Sequence, residues 1–170
     1  VTGFAMESFV DELCVAAEQD PFAFRRAMLP EKSRQRRVLD ALEKLSTWST
    51  PPAKGIGRGL ARHFAFETEV GEVAEVEMID GRIRVKRVYC VVDCGLAVNP
   101  DIIRAQMEGG IIFGLSAALD QEITLVDGVV QQQALVGVLA AGTGLARRLL
   151  HGRGGTLHAP QNPLHHLLEV

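Results

Sequence analysis

The chain has 170 residues, 47% of them hydrophobic, and a formal net charge of −3 at pH 7. That length suits one ordinary domain with a sizeable core. The mixed charge lacks the basic surplus of a nucleic-acid binder, and no apolar run reaches the length that spans a bilayer, so neither nucleic acid nor a transmembrane segment is expected. Val1 opens the chain without methionine or a basic, signal-like start, so the chain is expected to begin inside a longer protein. Cys14, Cys90 and Cys94 give neither a disulfide framework nor a C-x₂-C pair. They read as small apolar residues of a buried strand, and no metal site built by this chain alone is expected.

In chain order, Phe9, Val10, Leu13 and Ala17 recur at helical spacing with Glu7, Asp11 and Glu12 opposite, which predicts a first helix. Asp20-Pro21 joins a good N-cap to a residue suited to the first helical position, so a second helix runs from Pro21 to Leu29. A third extends from Pro30 or Ser33 to Leu45. Val38, Leu39, Leu42 and Leu45 form its apolar stripe, and Arg34, Arg36 and Arg37 a solvated side. Pro51, Pro52, Gly55, Gly57 and Gly59 mark residues 46–59 as a break.

Beyond it, residues 73–78 alternate like a half-buried strand. Asp80-Gly81 is a hairpin turn, and Ile83, Val85, Val88, Cys90 and Val92 form the returning strand. A slip in alternation near Arg87 points to a bulge. Asn99-Pro100 starts a helix that continues through Ile102, Ile103, Met107, Ile111, Ile112 and Leu115 toward Leu119. Gly109, Gly110 and Gly114 lie inside it, and each weakens a helix by roughly 1 kcal/mol relative to Ala. They make sense where a neighbouring element or a ligand approaches the backbone closely, although helix packing explains them nearly as well. Residues 123–131 repeat the hairpin pattern around Asp127-Gly128. The expected fold class is α+β, with helices packed on a small mixed or antiparallel sheet. The two hairpins are expected to share that sheet, with the Asn99 helix packed on it.

Residues 133–170 differ in character: they hold no aromatic residue, no Lys or Asp, one acid (Glu169), and His151, His158, His165 and His166. A helix over residues 134–150 is only weakly signalled. The composition is that of an out-of-frame reading of a GC-rich gene, which the other frames of the coding DNA near residue 132 would test. The expected division is 1–132 as a partial domain and 133–170 as an atypical, loosely ordered tail.

Several clusters invite chemistry, and each has a plainer reading. Gly55 to Gly59 resembles a phosphate-cradling loop, but it lacks the G-x-G-x-x-G spacing and follows prolines instead of a strand, so a flexible connection is expected. Glu67, Glu69, Glu72, Glu75 and Glu77 read as a solvated strand face, not a carboxylate pair for glycoside hydrolysis. His165 and His166 are adjacent, which does not place both on one helix face, and His63 has no partner in sequence. No nucleophile elbow is present. Composition and spacing therefore give a domain but no reaction.

Three segments together resemble one family. They are Gly3-Phe4-Ala5-Met6-Glu7-Ser8-Phe9-Val10-Asp11-Glu12-Leu13 with Asp20-Pro21-Phe22-Ala23-Phe24-Arg25; Gly57-Arg58-Gly59-Leu60-Ala61 continuing to Val73-Ala74-Glu75-Val76; and Val92-Asp93-Cys94-Gly95 with Asn99-Pro100, Gln106-Met107-Glu108-Gly109-Gly110 and Gly114-Leu115. Their order resembles the molybdopterin-binding large subunit of the xanthine dehydrogenase and aldehyde oxidase family, in its isoquinoline 1-oxidoreductase branch, over residues 3–132. The resemblance implies hydroxylation of an aldehyde or an N-heterocycle, with water as oxygen source, on a molybdenum-molybdopterin cofactor. It also implies electron exit through a small partner subunit carrying iron-sulfur clusters. Gln106 corresponds to the family's cofactor-binding glutamine, and Gly109 and Gly110 would let the cofactor come close. Asp93 and Asn99 are expected to hold a turn and cap a helix. The family's late catalytic glutamate has no counterpart, since Glu169 lacks the Gly-Glu-Pro context, so no catalytic residue and no metal ligand are assigned. The chain alone is expected to be inactive, and uncovered apolar surface would favour self-association. The alternative is a non-catalytic structural or subunit-assembly module.

Overall fold

The computed structural model describes residues 2–121, 123–131 and 166–169. The described elements are α1 (Thr2–Ala16), α2 (Pro21–Ala27), α3 (Arg34–Leu45), β1 (Ile56–Ala65), β2 (Thr68–Ile79), β3 (Arg82–Asp93), α4 (Pro100–Leu119), β4 (Leu125–Val126), β5 (Val129–Val130) and β6 (His166–Glu169). They fall into two compact units. One holds α1 to α3 with β1, β2, β3 and β6, and the other holds α4, β4 and β5. The fold class is α+β, with an antiparallel sheet in strand order β1-β2-β3-β6.

In the first unit α3 lies across β2 and β3. Its stripe Val38, Leu39 and Leu42 is buried with Phe22, Leu60, Val73, Tyr89 and Val91. The close approach is possible because Gly71 has no side chain. A Cβ there would sit 3.1 Å from Leu42 Cδ2 and 3.2 Å from Val38 Cγ1. Ser33 caps α3 through Arg36 N. Asp20 caps α2 through Ala23 N at 2.9 Å, and its other oxygen accepts from Trp48 Nε1 at 2.7 Å. Trp48 in turn meets the Phe22 ring edge-on at 5.1 Å.

The sheet departs from expectation at its first strand. Residues 56–59 do not belong to the break; they open β1, with Gly57 opposite Val76 and Gly59 opposite Ala74. The turn that follows is Phe66-Glu67, both residues at positive φ (49° and 58°). Neither carries a turn signature, so β1 escapes a reading based on turn residues. A left-handed backbone costs an L-residue roughly 1–2 kcal/mol. Replacing Phe66-Glu67 by Asn-Gly is therefore expected to stabilise the unit by about 1–2 kcal/mol in urea titration. Phe66 is 100% exposed, so no packing opposes the gain.

The second hairpin forms as expected, with Asp80 and Gly81 at positive φ. The register slips between Glu75↔Arg87 and Val76↔Val85, which leaves Lys86 as the extra residue of a bulge. In the tail, β6 pairs antiparallel with β3, Glu169 opposite Tyr89. Residues 132–165, including the weakly signalled helix, the biased composition and His151, His158 and His165, lie outside the described residues.

In the second unit Asn99 caps α4, its Oδ1 accepting from Asp101 N and Ile102 N. The β4–β5 hairpin turns at Asp127 and Gly128. It does not share the larger sheet, contrary to expectation, but forms a two-stranded one. Its strands are two residues long and exposed, too short to extend ladders of ten to twelve residues. The Asn99 helix falls in this second unit. Among the described residues α4 is also long and apolar enough, by length and composition, to cross a bilayer. A count of uninterrupted apolar runs passes over it, because Arg104, Gln106 and Glu108 break the run. Ionisable residues at a bilayer's centre are costly, so Arg104 and Glu108 argue against reading α4 as a span.

Candidate functional site

At 100° per residue, Ile102, Gln106, Gly109, Gly110 and Phe113 lie on one face of α4. All five are exposed. A Cβ built on Gly109 or Gly110 meets nothing within 4 Å. Packing among the described residues therefore does not account for the two glycines, and with respect to those residues the helix backbone beside Gln106 is open. Among the described residues no hydrogen bond engages the Gln106 side chain, which leaves an uncharged donor and acceptor on that surface.

Asp93 and Asn99 take the roles expected of them. Asp93, buried at the end of β3, accepts from Gly95 N at 3.1 Å and from Arg34 Nη2 at 2.9 Å. Arg34 also donates to the backbone carbonyls of Glu67 and Asp93, and Arg37 Nη2 lies 3.7 Å from Asp93. Arg34 and Arg37 are thus not simply a solvated face. The hydrogen bond that Arg34 donates to the Asp93 carboxylate raises the Arg34 pKa above the ordinary arginine value.

Of the acids expected on a solvated face, Glu67 is exposed in the turn, but Glu69 and Glu75 of β2 are held in ion pairs. Glu75 pairs with Arg58 at 2.9 Å, and Glu69, 0% exposed, pairs with Arg62 at 2.7 Å. Because Arg58 is spent on Glu75 and on the Thr50 carbonyl, and Gly57 and Gly59 are strand residues, residues 55–59 make no phosphate loop.

Glu72 faces a cavity of about 280 Å³ beside α1, with Phe4, Glu7, Leu60 and His63 among its lining. Sequence reasoning left this pocket unseen, because its walls come from segments with no shared motif. Burial raises the Glu72 pKa above the ordinary 4.5. A raised carboxyl pKa favours the folded state fully below pH 4.5, and that contribution is lost as pH rises through the folded value. Glu72→Gln is accordingly expected to stabilise the protein at pH 7. The gain should vanish below about pH 4.5, as thermal melts across pH would show.

Cys14 and Cys90 are buried, and all three cysteines are free. Burial, and secondarily Glu72, pushes the Cys90 thiol well above its ordinary pKa, so it is a poor nucleophile. Among the described residues no three His, Cys, Asp or Glu side chains gather in a way that could hold a metal ion.

Residues 12–139 match the molybdopterin cofactor-binding domain family. The chain is 38% identical over 133 residues to the beta subunit of isoquinoline 1-oxidoreductase from Brevundimonas diminuta, a match covering 75% of this chain and 17% of that protein. It is 29% identical over 147 residues to one subunit of the nicotinate dehydrogenase from Pseudomonas putida, covering 75% of this chain and 12% of that protein. Over 51 residues it is 33% identical to the large subunit of nicotine 6-hydroxylase from Paenarthrobacter nicotinovorans, covering 30% of this chain and 6% of that protein. The chain therefore spans 17% or less of the length of these relatives. No solved structure matches it significantly.

Proposed function

This chain belongs to the molybdopterin cofactor-binding domain family, and on that premise we propose that it is part of the large subunit of a molybdenum hydroxylase. The substrate class we assign is an aldehyde or an N-heterocycle, hydroxylated with water as oxygen source. The names of three relatives, an isoquinoline oxidoreductase, a nicotinate dehydrogenase and a nicotine hydroxylase, support the heterocycle. Bound to such a domain, the molybdenum-molybdopterin cofactor supplies the redox chemistry, and the protein supplies position and hydrogen bonds.

The observation that carries the reading is the open face of α4. A large, many-toothed hydrogen-bonding ligand fits a surface where, among the described residues, nothing engages Gln106 or covers the backbone at Gly109 and Gly110. An amide donates and accepts there without adding charge. Gln106 is the proposed cofactor contact, with Gly109 and Gly110 as the positions that admit it. Residues 1–132 form the partial cofactor domain, electrons leave through a small iron-sulfur subunit, and this chain alone does not turn over substrate.

The test is the molybdenum and pterin content of the purified chain, expressed in cells that make the cofactor, beside Gln106→Ala. Wild type is expected to retain cofactor. The variant should retain about tenfold less, the equivalent of roughly 1.4 kcal/mol of lost hydrogen bonding. Its melting temperature should not change, because the side chain is exposed. Equal occupancy in the two proteins would remove Gln106 from the site. Cofactor missing from both would favour the assembly-module reading.

A further inference from the structure

The two halves of β3 are built differently. Residues 82–87 include Arg82, Arg84, Lys86 and Arg87, all exposed, and the register slips at Lys86. Charges and bulges are the features that keep a strand edge from pairing with a foreign strand. Val88-Tyr89-Cys90-Val91-Val92 has neither. It is a run of five buried residues without charge, glycine or proline. At a sheet edge such a run is a template for another chain. β2 covers one side of it. On the other side β6 pairs with Tyr89, Cys90, Val91 and Val92, and among the described residues this ladder does not reach the charged half. β6 is itself a poor template. It is four residues long and carries Glu169, beside neighbours of ten to twelve residues.

We propose that β6 is an edge guard: by occupying the apolar half of β3, His166–Glu169 keeps that edge from pairing with a second copy of this chain. The occupant is the chain's own strand, seated in register with Glu169 opposite Tyr89 and His166 opposite Val92. The division of β3 explains why the guard can be so short, since the remaining edge protects itself by charge and by its bulge. A four-residue ladder is held by few backbone hydrogen bonds, so small changes in β6 are enough to release it. The inference concerns the first unit alone and stands whether or not Gln106 binds cofactor.

The test has two arms, both on the full chain. In the first, Leu168→Cys places a thiol opposite Cys90. Directly opposed Cα atoms of an antiparallel pair lie about 4.5–5.5 Å apart, inside the range that a disulfide spans. The protein is refolded from urea in a glutathione redox buffer, so that the Cys90 thiol reacts before burial suppresses it. The expected product is an intrachain disulfide from Cys90 to the introduced cysteine, mapped by peptide mass spectrometry. Leu167→Cys should give none, because successive strand residues alternate in face. Pairing with Cys14 or Cys94 instead, or with no cysteine of the same chain, would overturn the proposal. In the second arm, Leu167→Gly with Leu168→Gly, and separately Leu167→Pro with Leu168→Pro, loosen β6. Self-association in sedimentation is expected to strengthen on the order of tenfold over wild type. A synthetic peptide of residues 165–170 should reverse it. The glycine pair keeps every backbone donor and decides the matter if the proline pair unfolds, as circular dichroism would show. Association no stronger than that of wild type, or association that the peptide leaves unchanged, would overturn the guard.

Discussion

Replacing Arg25 by methionine is expected to destabilise the first unit by about 3–5 kcal/mol, read as a lower urea midpoint with an unchanged slope. Arg25 is 1% exposed and joins three elements. Its Nε donates to Glu7 at 3.0 Å, and its Nη2 donates to Asp11 at 2.7 Å and to the carbonyls of Glu7 and Leu60. Nη1 donates to the Pro21 carbonyl at 3.4 Å. Burial opposes the charge, but Asp11 and Glu7 more than offset it and hold the pKa above the ordinary arginine value. Glu7 Oε2 also accepts from Arg62 N, so Arg25 and Glu7 together satisfy backbone groups of β1 on its side away from β2. Methionine would fill most of the volume yet strand Glu7, which is largely buried, and the Leu60 carbonyl. Asp11 is half exposed and can turn to water, which limits the loss. Arg25→Lys should recover less than half of it, because a point ammonium cannot serve carboxylates and carbonyls lying in a planar fork. A change below about 1 kcal/mol for Arg25→Met would show that the network is ornamental.

The same network marks where the sequence is legible and where it is not. Asp20, Ser33 and Asn99 announce helix starts because capping is local chemistry, written within three residues. Asp80-Gly81 and Asp127-Gly128 announce hairpins for the same reason, and the slip at Arg87 shows in the alternation itself. β1 stays hidden because Gly57 and Gly59 look like loop, and because Phe66-Glu67 turns the chain without turn residues. The direction of α1 is a tertiary matter. A helical wheel suggests that Phe9 and Leu13 face the core, and nothing near them in sequence reports a buried arginine on another helix. The candidate site is legible in yet another way. Gln106 emerges from resemblance, since no spacing rule singles out an exposed glutamine. What the structure contributes is the openness of the helix surface beside it. The separation of the β4–β5 hairpin from the main sheet likewise depends on strand length, which alternating residues do not reveal.

Arg62→Ala is expected to cost roughly 3 kcal/mol, and Glu69→Gln in the same background should return most of it. Glu69 is fully buried, and its Oε1 accepts from Arg62 Nε at 2.7 Å, while among the described residues its Oε2 has no hydrogen-bond partner. Removing Arg62 leaves a carboxylate in a low-dielectric site without its hydrogen-bonded counter-charge. The loss should sit at the lower end of the range for broken buried pairs, because the charge of Arg34 is also felt near Glu69. Glu69→Gln alone should cost less than Arg62→Ala, since Arg62 is partly exposed and can reach water, whereas Glu69 cannot. A double-mutant cycle by urea unfolding separates the two explanations. If the double variant is more stable than Arg62→Ala, the cost came from the stranded charge. If the two losses simply add, Arg62 acts through the packing of its stem along β1, and the ion pair contributes little.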